Sequence, residues 1–286
     1  MTDCHLNQYQ QRFIKVCEYI EQHLDNKLSV EHLSQVAHFS RWHFHRQFSE
    51  FTGFTVKRFI QQLRLKRASY HLIFRQDKII DIALQAGFEN PESFSRSFKK
   101  ACGQTPSEFR KAPQWQPWQK HSYFTPIKDN ATMSVKIIDF PLTHIAVFEH
   151  KGPHQDIYQS VQQFIQWRKA NNFRPDKTRT YNIFYHDPKE VEPAEYRLDI
   201  CVASDSDISP NEQGVVPKTI PANRCAYLRH YGSWDDLEES MRYLYAQWLP
   251  ESGETPSEFP CFVERVNLYP EVAESELITD IYLPLK

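Results

Sequence analysis

Proline distribution divides this 286-residue chain into two parts that cannot fold alike. Only Pro91 and Pro106 precede residue 113, and the other 16 of the 18 prolines follow. Proline breaks regular helices, so helices are favoured in the first part and strands with many turns in the second. Charge divides the chain similarly, because residues 1–118 hold 17 Lys and Arg against 11 Asp and Glu, whereas residues 119–286 hold 17 against 25. The composition predicts two domains, the basic one first.

Composition also excludes several classes of protein. No apolar run approaches the roughly 18 residues that a membrane span requires, and the N-terminal residues lack the apolar stretch of a secretory signal. The six cysteines are far apart, with neither a CxxC pair nor a cysteine–histidine cluster. We therefore expect free thiols, no metal or cofactor, no membrane partner and a cytoplasmic location.

Residues 1–112 are predicted to form short helices, because apolar residues recur at spacings of three and four. Two stretches within this part repeat. Leu33, Ala37 and Phe39 match residues 49 positions later, and a second set matches at an offset of 50. The second set comprises Phe44, Arg46, Phe48, Gly53, Thr55 and Phe59, matched by Phe94, Arg96, Phe98, Gly103, Thr105 and Phe109. Each copy is predicted to form a helix, a tight turn and a second helix.

Residues that favour helix starts agree with this repeat. Ser40 and Asn90 are predicted N-caps, since their side chains can accept hydrogen bonds from the free N–H groups of the first turn. Thr105 and Glu108 are predicted to form a capping box.

The second helix of each copy has a polar face opposite its phenylalanines. In the first copy this face carries Trp42, His45 and Arg46, and in the second copy Glu92, Ser95, Arg96 and Lys99. An exposed tryptophan beside arginine suits a helix in a DNA major groove, where arginine reads guanine. A protein–protein surface is the alternative.

A connecting helix is predicted between the two copies. Residues 51–76 contain six Lys and Arg and no acidic residue, which favours contact with DNA phosphates; a solvated basic helix is the alternative. A rigid connection would let a monomer place its two reading helices in successive major grooves, roughly 34 Å apart.

The basic part resembles the double helix-turn-helix domain of the AraC/XylS family. The resemblance covers residues 8–112 and rests on the segments LSVEHLSQVAHFSRWHFHRQF and IDIALQAGFENPESFSRSFKKACGQTPSEFRK. It implies an all-α domain that binds double-stranded DNA and contacts RNA polymerase. The DNA-binding positions it implies are Arg41, Trp42, His45, Arg46, Pro91, Glu92, Ser95, Arg96 and Lys99. Two places depart from the family: His38 replaces the usual glycine of the first turn, and Pro91-Glu92 stands where close relatives carry amides, so that Glu92 accepts rather than donates.

Residues 113–132 are predicted to form a linker and residues 133–286 an α+β domain. Strands are predicted at 134–140, 144–150, 181–186, 195–203, 224–230, 261–268 and 276–283, and helices at about 155–171 and 234–249. A repeat at an offset of 80 matches Ala146, His150, Gly152, Asp156 and Ser160 to Ala226, His230, Gly232, Asp236 and Ser240. Two strand–helix–strands copies would pack around a two-fold pseudo-axis with a cleft, a natural ligand site. Duplication for stability alone is the alternative.

Glu264 is the candidate ligand-binding residue of this domain. Alternation places it on an apolar face with Phe262 and Val266, where an ionised carboxylate is costly unless it meets a cation. Aromatic residues that could add cation–π attraction to a bulky organic cation are Tyr181, Tyr185, Tyr231 and Trp234. An internal ion pair with Arg197, Arg224 or another arginine is the alternative.

The acidic part resembles the GyrI-like small-molecule-binding domain, through the segments MSVKIIDFPLTHIAVFEHKGPHQ, YRLDICVA, LRHYGSWDDLEES and FVERV, followed by ITDIYLPL. The resemblance implies an antiparallel sheet with a ligand cleft that Glu264 faces. Together the two resemblances imply a transcription regulator, an activator without catalytic residues, that senses a lipophilic or cationic small molecule. The alternatives are a GyrI-like hydrolase of reactive compounds, with Glu264 as general base, or a protein that sequesters its ligand.

Overall fold

A computed structural model describes residues 2–114, 133–188 and 191–286; the side chains of residues 2–10, 41–43, 46, 50 and 51 lie outside the described part. Most of the predicted linker, residues 115–132, also lies outside it. The chain divides into two compact units: Met1–Ile127 with Tyr269–Ser275, and Lys128–Leu268 with Glu276–Lys286. Across the described ranges, no helix has both the length and the apolar character needed to cross a membrane.

The described part of the first unit contains seven helices. They are α1 (Thr2–Gln22), α2 (Val30–Val36), α3 (Arg41–Thr52), α4 (Val56–Phe74), α5 (Ile79–Gln85), α6 (Pro91–Cys102) and α7 (Pro106–Lys111). The predicted repeat is confirmed, because α2 and α5 are offset by 49 residues and α3 and α6 by 50. Both α3 and α6 end at a glycine with a left-handed backbone, Gly53 at φ 73° and Gly103 at φ 76°.

Two of the three predicted helix starts have the expected hydrogen bonds. The Ser93 N–H donates to Asn90 Oδ1 at 2.8 Å. In the capping box, the Glu108 N–H donates to Thr105 Oγ1 at 3.3 Å and the Thr105 N–H donates to Glu108 Oε2 at 2.8 Å. Ser40 lies at the N-cap of α3, but its hydroxyl accepts no capping hydrogen bond from the described part of the helix.

Phenylalanine pairs of equivalent geometry fix the inner faces of α3 and α6. The rings of Phe48 and Phe59 meet edge to face at 5.3 Å, and those of Phe98 and Phe109 do the same at 5.3 Å. All four side chains are fully buried, and each contributes roughly 2–3 kcal/mol through burial. These anchors bury the phenylalanine faces of both helices.

The second unit is built on one antiparallel sheet of eight strands. The strands are β1 (Lys136–Phe140), β2 (Thr143–Lys151), β3 (Thr180–Phe184), β4 (Arg197–Ala203), β5 (Val216–Ile220), β6 (Asn223–Tyr231), β7 (Phe262–Arg265) and β8 (Ile278–Pro284). Their order across the sheet is β1-β6-β8-β7-β3-β4-β2-β5. The helices are α8 (Ile157–Ala170), α9 (Leu237–Tyr243) and, after a π-helical turn at Leu244–Trp248, α10 (Leu249–Ser252).

This architecture confirms the predicted α+β class with an antiparallel sheet and corrects the strand number from seven to eight. The strand that the sequence patterns missed is β5, which contains Pro217. Proline cannot donate to a sheet and is tolerated at an edge, and β5 lies at the edge beside β2.

The predicted repeat of the second unit is visible in equivalent hydrogen bonds. His150 Nδ1 lies 2.8 Å from Ser160 Oγ, and His230 Nδ1 lies 2.8 Å from Ser240 Oγ. The first strand of each copy is exchanged: β1 pairs with β6 of the second copy, and β5 pairs with β2 of the first.

The sheet has two different faces. Helices α8 and α9 pack on one face, against side chains such as Ala146 and Leu228. The other face, here called the inner face, carries a separate cluster that includes Phe140, Tyr181, Cys201, Phe262 and Tyr282. Because side chains alternate along a strand, Glu264 shares the inner face with Phe262.

Candidate DNA-binding surface and ligand cleft

Helix α6 presents the predicted reading residues of the second copy on one surface. Glu92, Arg96 and Lys99 are exposed, whereas Pro91 and Ser95 are half-buried. The spacing of four and three residues places the exposed three on one stripe, opposite buried phenylalanines. An arginine flanked by a lysine on a helix that projects from the core can donate hydrogen bonds to base edges and to phosphates.

Helix α3 holds the predicted reading residues of the first copy. His45 is exposed on this helix. The side chains of Arg41, Trp42 and Arg46 lie outside the described residues, although α3 spans all three positions. Arg46 and Arg96 occupy equivalent positions, 50 residues apart, in helices whose phenylalanines are equivalent.

The predicted connecting helix is α4, and four of the six Lys and Arg of residues 51–76 have partners inside the first unit. Arg64 donates to the carbonyl oxygens of Leu24 and Asn26 at 2.9 and 3.0 Å. The ion pairs of the other three are Arg67 with Asp25, Lys66 with Glu274 and Arg75 with Glu271. The exposed cations of this group are Lys57 and Arg58, in the first turn of α4.

Glu264 lies in the middle of the sheet of the second unit. In β7 it is opposite Tyr181 of β3 on one side and Asp280 of β8 on the other. The Tyr282 hydroxyl donates to Glu264 Oε2 at 3.3 Å, and Arg179 Nε lies 3.6 Å from Glu264 Oε1. The Glu264 side chain is 15% exposed, and its neighbours include Tyr181 and Tyr282.

The surroundings of Glu264 disfavour the ionised form of its carboxyl group. Burial raises the pKa of Glu264, Arg179 lowers it and the neighbouring Asp280 raises it, with a net upward shift. Burial and the Glu264 carboxylate also raise the pKa of Tyr181. An ionised Glu264 is therefore under-compensated, and a further cation would stabilise it.

Two other carboxylates on the inner face are closely paired. Asp199 is 1% exposed and accepts from Lys218 Nζ at 2.6 Å and from the Tyr185 hydroxyl at 2.9 Å. Asp280 accepts from Arg229 Nε and Nη2 at 2.7 and 2.8 Å. Both carboxylates have a cation at hydrogen-bonding distance, whereas the nearest cation of Glu264 lies 3.6 Å away.

The predicted aromatic residues do not all gather at Glu264. Tyr181 is directly opposite it, whereas the Tyr185 hydroxyl belongs to the Asp199 pair described above. Tyr231 is 51% exposed at the end of β6. The Trp234 ring stacks with the guanidinium of Arg265, 3.6 Å away, and alternation turns Arg265 to the face opposite Glu264. The structure therefore does not place Trp234 beside the carboxylate.

The structure contains the internal ion pair that the sequence left open as the alternative, and its arginine is Arg179 rather than Arg197 or Arg224. Arg197 lies over the Tyr185 ring at 4.8 Å, and Arg224 pairs with Glu254. Sequence reasoning missed both Arg179 and Tyr282. A signal for Arg179 existed, since alternation along residues 179, 181 and 183 puts its side chain on the face of Tyr181. No group of three or more His, Cys, Asp or Glu in the described ranges could hold a metal ion.

Comparison with known proteins identifies both parts of the chain. Residues 133–286 match the model of the GyrI-like small molecule binding domain, and residues 33–112 match a helix-turn-helix domain. A curated relative, the probable transcriptional regulator YgiV of Escherichia coli K12, is 34% identical over 157 residues, which are 54% of this chain and 98% of the relative. The right origin-binding protein of the same organism is 37% identical over 97 residues, 34% of each chain.

Solved structures with similar folds include the C-terminal domain of EcmrR. It aligns with a TM-score of 0.44 at 19% identity, over 54% of this chain and 98% of that chain. The DNA-binding domain of AdpA, solved with a target DNA, aligns with a TM-score of 0.33 at 25% identity, over 36% of this chain and 94% of that one. The chain belongs to the GyrI-like small-molecule-binding family and, with its AraC-type helix-turn-helix domain, is a DNA-binding transcriptional regulator.

Proposed function

We propose that this regulator is a transcription activator of the cytoplasm whose GyrI-like domain binds a lipophilic organic cation at Glu264. The observation that carries this proposal is the partly exposed Glu264 side chain on an aromatic sheet face, 3.6 Å from its arginine partner. A bulky cation would gain Coulomb attraction and contact with aromatic rings at the same place. Ligand occupancy would change promoter binding or polymerase recruitment through a coupling free energy, typically about 1–3 kcal/mol.

For the basic unit, we propose that a single chain binds DNA through α3 and α6. Two equivalent helices on one chain match an asymmetric site whose halves lie one helical turn apart. Base contacts are assigned to Arg46, Arg96 and the exposed His45, and phosphate contacts to Lys99.

Selection of bound sequences from random duplex DNA tests both parts of the proposal. The full chain is presented with the DNA library, with and without a panel of lipophilic cations. One asymmetric motif of about two helical turns supports monomeric reading of two grooves. A change in its enrichment, or in transcription by added RNA polymerase, with one class of compound supports sensing.

The alternatives give different results in the same samples. A compound that is recovered chemically altered after long incubation indicates a hydrolase. A compound that binds at saturation without changing DNA binding or transcription indicates a sequestering protein. An absent motif leaves the basic unit with non-specific DNA affinity alone.

A further inference from the structure

The three inner-face carboxylates described above differ in how firmly their cations hold them. Lys218 and Arg229 approach Asp199 and Asp280 to hydrogen-bonding distance, 2.6 and 2.7 Å. Arg179 stays 3.6 Å from Glu264, too far for a direct hydrogen bond. The pair at Glu264 is thus the loosest of the three.

Exposure adds a second difference. The Arg179 side chain is 62% exposed, against 40% for Arg229 and 27% for Lys218. An arginine so exposed keeps much of its hydration in either position, so its departure from the carboxylate costs little. The carboxylate itself is mostly enclosed and cannot be hydrated to the same extent when its cation leaves.

We propose that Arg179 is the resident counter-ion of the ligand site: it neutralises Glu264 while the site is empty and is displaced by the cationic ligand. This inference rests on the proposed function of Glu264 as the cation-binding residue. Arg179 would then be a specificity-determining residue, because a ligand must interact with the Glu264 site more favourably than the guanidinium that it replaces.

This competition defines a class of ligand. A small, strongly hydrated cation offers no advantage over Arg179, since it brings charge alone and loses hydration on entry. A cation carried on an aromatic or aliphatic body adds apolar contact with the half-buried Tyr227, whose ring lies 5.6 Å from that of Tyr282. Such a ligand also carries a delocalised or shielded charge with little hydration to lose. The site therefore selects weakly hydrated, bulky organic monocations.

The test compares two isosteric probes that differ in charge alone, phenyltrimethylammonium and tert-butylbenzene, by ligand-observed NMR titration of the full chain. Arg179→Gln is expected to strengthen binding of phenyltrimethylammonium by about fivefold to tenfold, as for loss of one partly screened competing charge. Binding of tert-butylbenzene is expected to stay the same. Arg174→Gln is the matched control, because Arg174 is an equally exposed arginine nearby that pairs with Asp176.

A double-mutant cycle separates this inference from the proposed function. In a Glu264→Gln background, Arg179→Gln should change cation binding much less, because no carboxylate is left for which the two cations compete. If Glu264→Gln binds the ammonium as well as the native chain, the proposed function itself fails. If Glu264→Gln weakens the ammonium but Arg179→Gln leaves it unchanged or weakens it, the counter-ion inference fails alone.

A second readout does not depend on ligand. Arg179 lowers the pKa of Glu264, so Arg179→Gln should raise this pKa. Carbon-detected NMR of the unliganded chain measures it by following the Glu264 carboxyl signal as the pH is changed. An unchanged titration would show that the two groups do not interact in solution and would overturn the proposal.

Discussion

His38 and Gly87 occupy the same turn position in the two helical repeats, 49 residues apart, and both have a left-handed backbone, with φ of 53° and 77°. Side chains other than glycine are strained there, although histidine is among those that tolerate it best. The departure of His38 from the usual glycine of this turn is therefore accommodated without a different turn. A side chain at Gly87 would additionally meet Arg64 Nη1 at 2.5 Å.

His38→Gly should relieve the backbone strain at this position, although glycine has more conformational freedom in the unfolded state. The expected net gain in the free energy of unfolding is about 0.5–1 kcal/mol. His38→Asn should be close to neutral, because asparagine also tolerates this conformation. Urea denaturation followed by circular dichroism measures both. A loss of stability in His38→Gly would show that the histidine makes contacts that outweigh the strain.

The capping box of α7 predicts a second stability effect. Thr105→Ala should destabilise the first unit by about 1 kcal/mol, because the Glu108 N–H loses its acceptor. Ser40→Ala is the matched control and should cost less, since the described part of α3 donates no capping hydrogen bond to Ser40. Equal losses for both variants would mean that the hydroxyl of Ser40 caps α3 in solution.

The exposed stripe of α6 predicts different DNA phenotypes for two neighbouring cations. Arg96→Ala should cost about 1–3 kcal/mol at the selected site and relax base preference at one position. Lys99→Ala should weaken binding to all DNA sequences similarly. It should also reduce the slope of log affinity against log salt concentration by about one. Titrations against single-base variants of the site at several salt concentrations distinguish the two roles. If Arg96→Ala leaves the base preference unchanged, Arg96 does not contact a base edge.

A large stability effect is expected for substitution of Lys218 in the second unit. It joins Glu149 and Asp199, which are opposite each other in β2 and β4, with Nζ–O distances of 2.6 Å. Lys218→Met would leave two like charges facing each other, and the expected loss is about 2–4 kcal/mol. The exposed Lys177→Met is the control.

The pH dependence of this loss has a definite sign. Hydrogen bonding to Lys218 lowers the pKa of Glu149, so its stabilising contribution is present above the unfolded pKa and is lost as pH falls through the lower folded value. The difference between native chain and Lys218→Met should therefore shrink in acid. A difference independent of pH would contradict this ion-pair assignment.

The pH dependence of stability should have the opposite sign at Glu264, because burial raises the pKa of this residue. Its folded-state contribution is fully present below the unfolded pKa, about 4.3, and is lost as pH rises through the folded value. Glu264→Gln should therefore gain stability relative to the native chain as pH rises above the unfolded pKa, while its affinity for a lipophilic cation falls about tenfold, or about 1.4 kcal/mol. Asp139→Asn, an exposed carboxylate of β1, is the control for charge loss.

Much of this molecule was predictable because the relevant signals are local. Helix spacing, the glycine ends at Gly53 and Gly103 and the capping box at Thr105 each depend on residues within one or two turns. The edge strand β5 was not, since Pro217 hides its alternation and its pairing with β2 spans about 70 residues of chain. The aromatic surround of Glu264 was predictable in part: strand alternation favoured Tyr181 but could not exclude Trp234.

Two domains, a repeat in each of them, and Glu264 as the odd charge on an apolar strand face are all predicted from the residues alone. Periodicity and repeated spacing record these properties directly. The tertiary structure decided which charges are already neutralised. Asp199, Asp280 and Glu264 are all acidic residues on strands, and they differ in the distance to a cation from another strand or loop. A sequence does not record that distance, because Coulomb energy depends on separation in space and on burial, and both are set only when the strands pair.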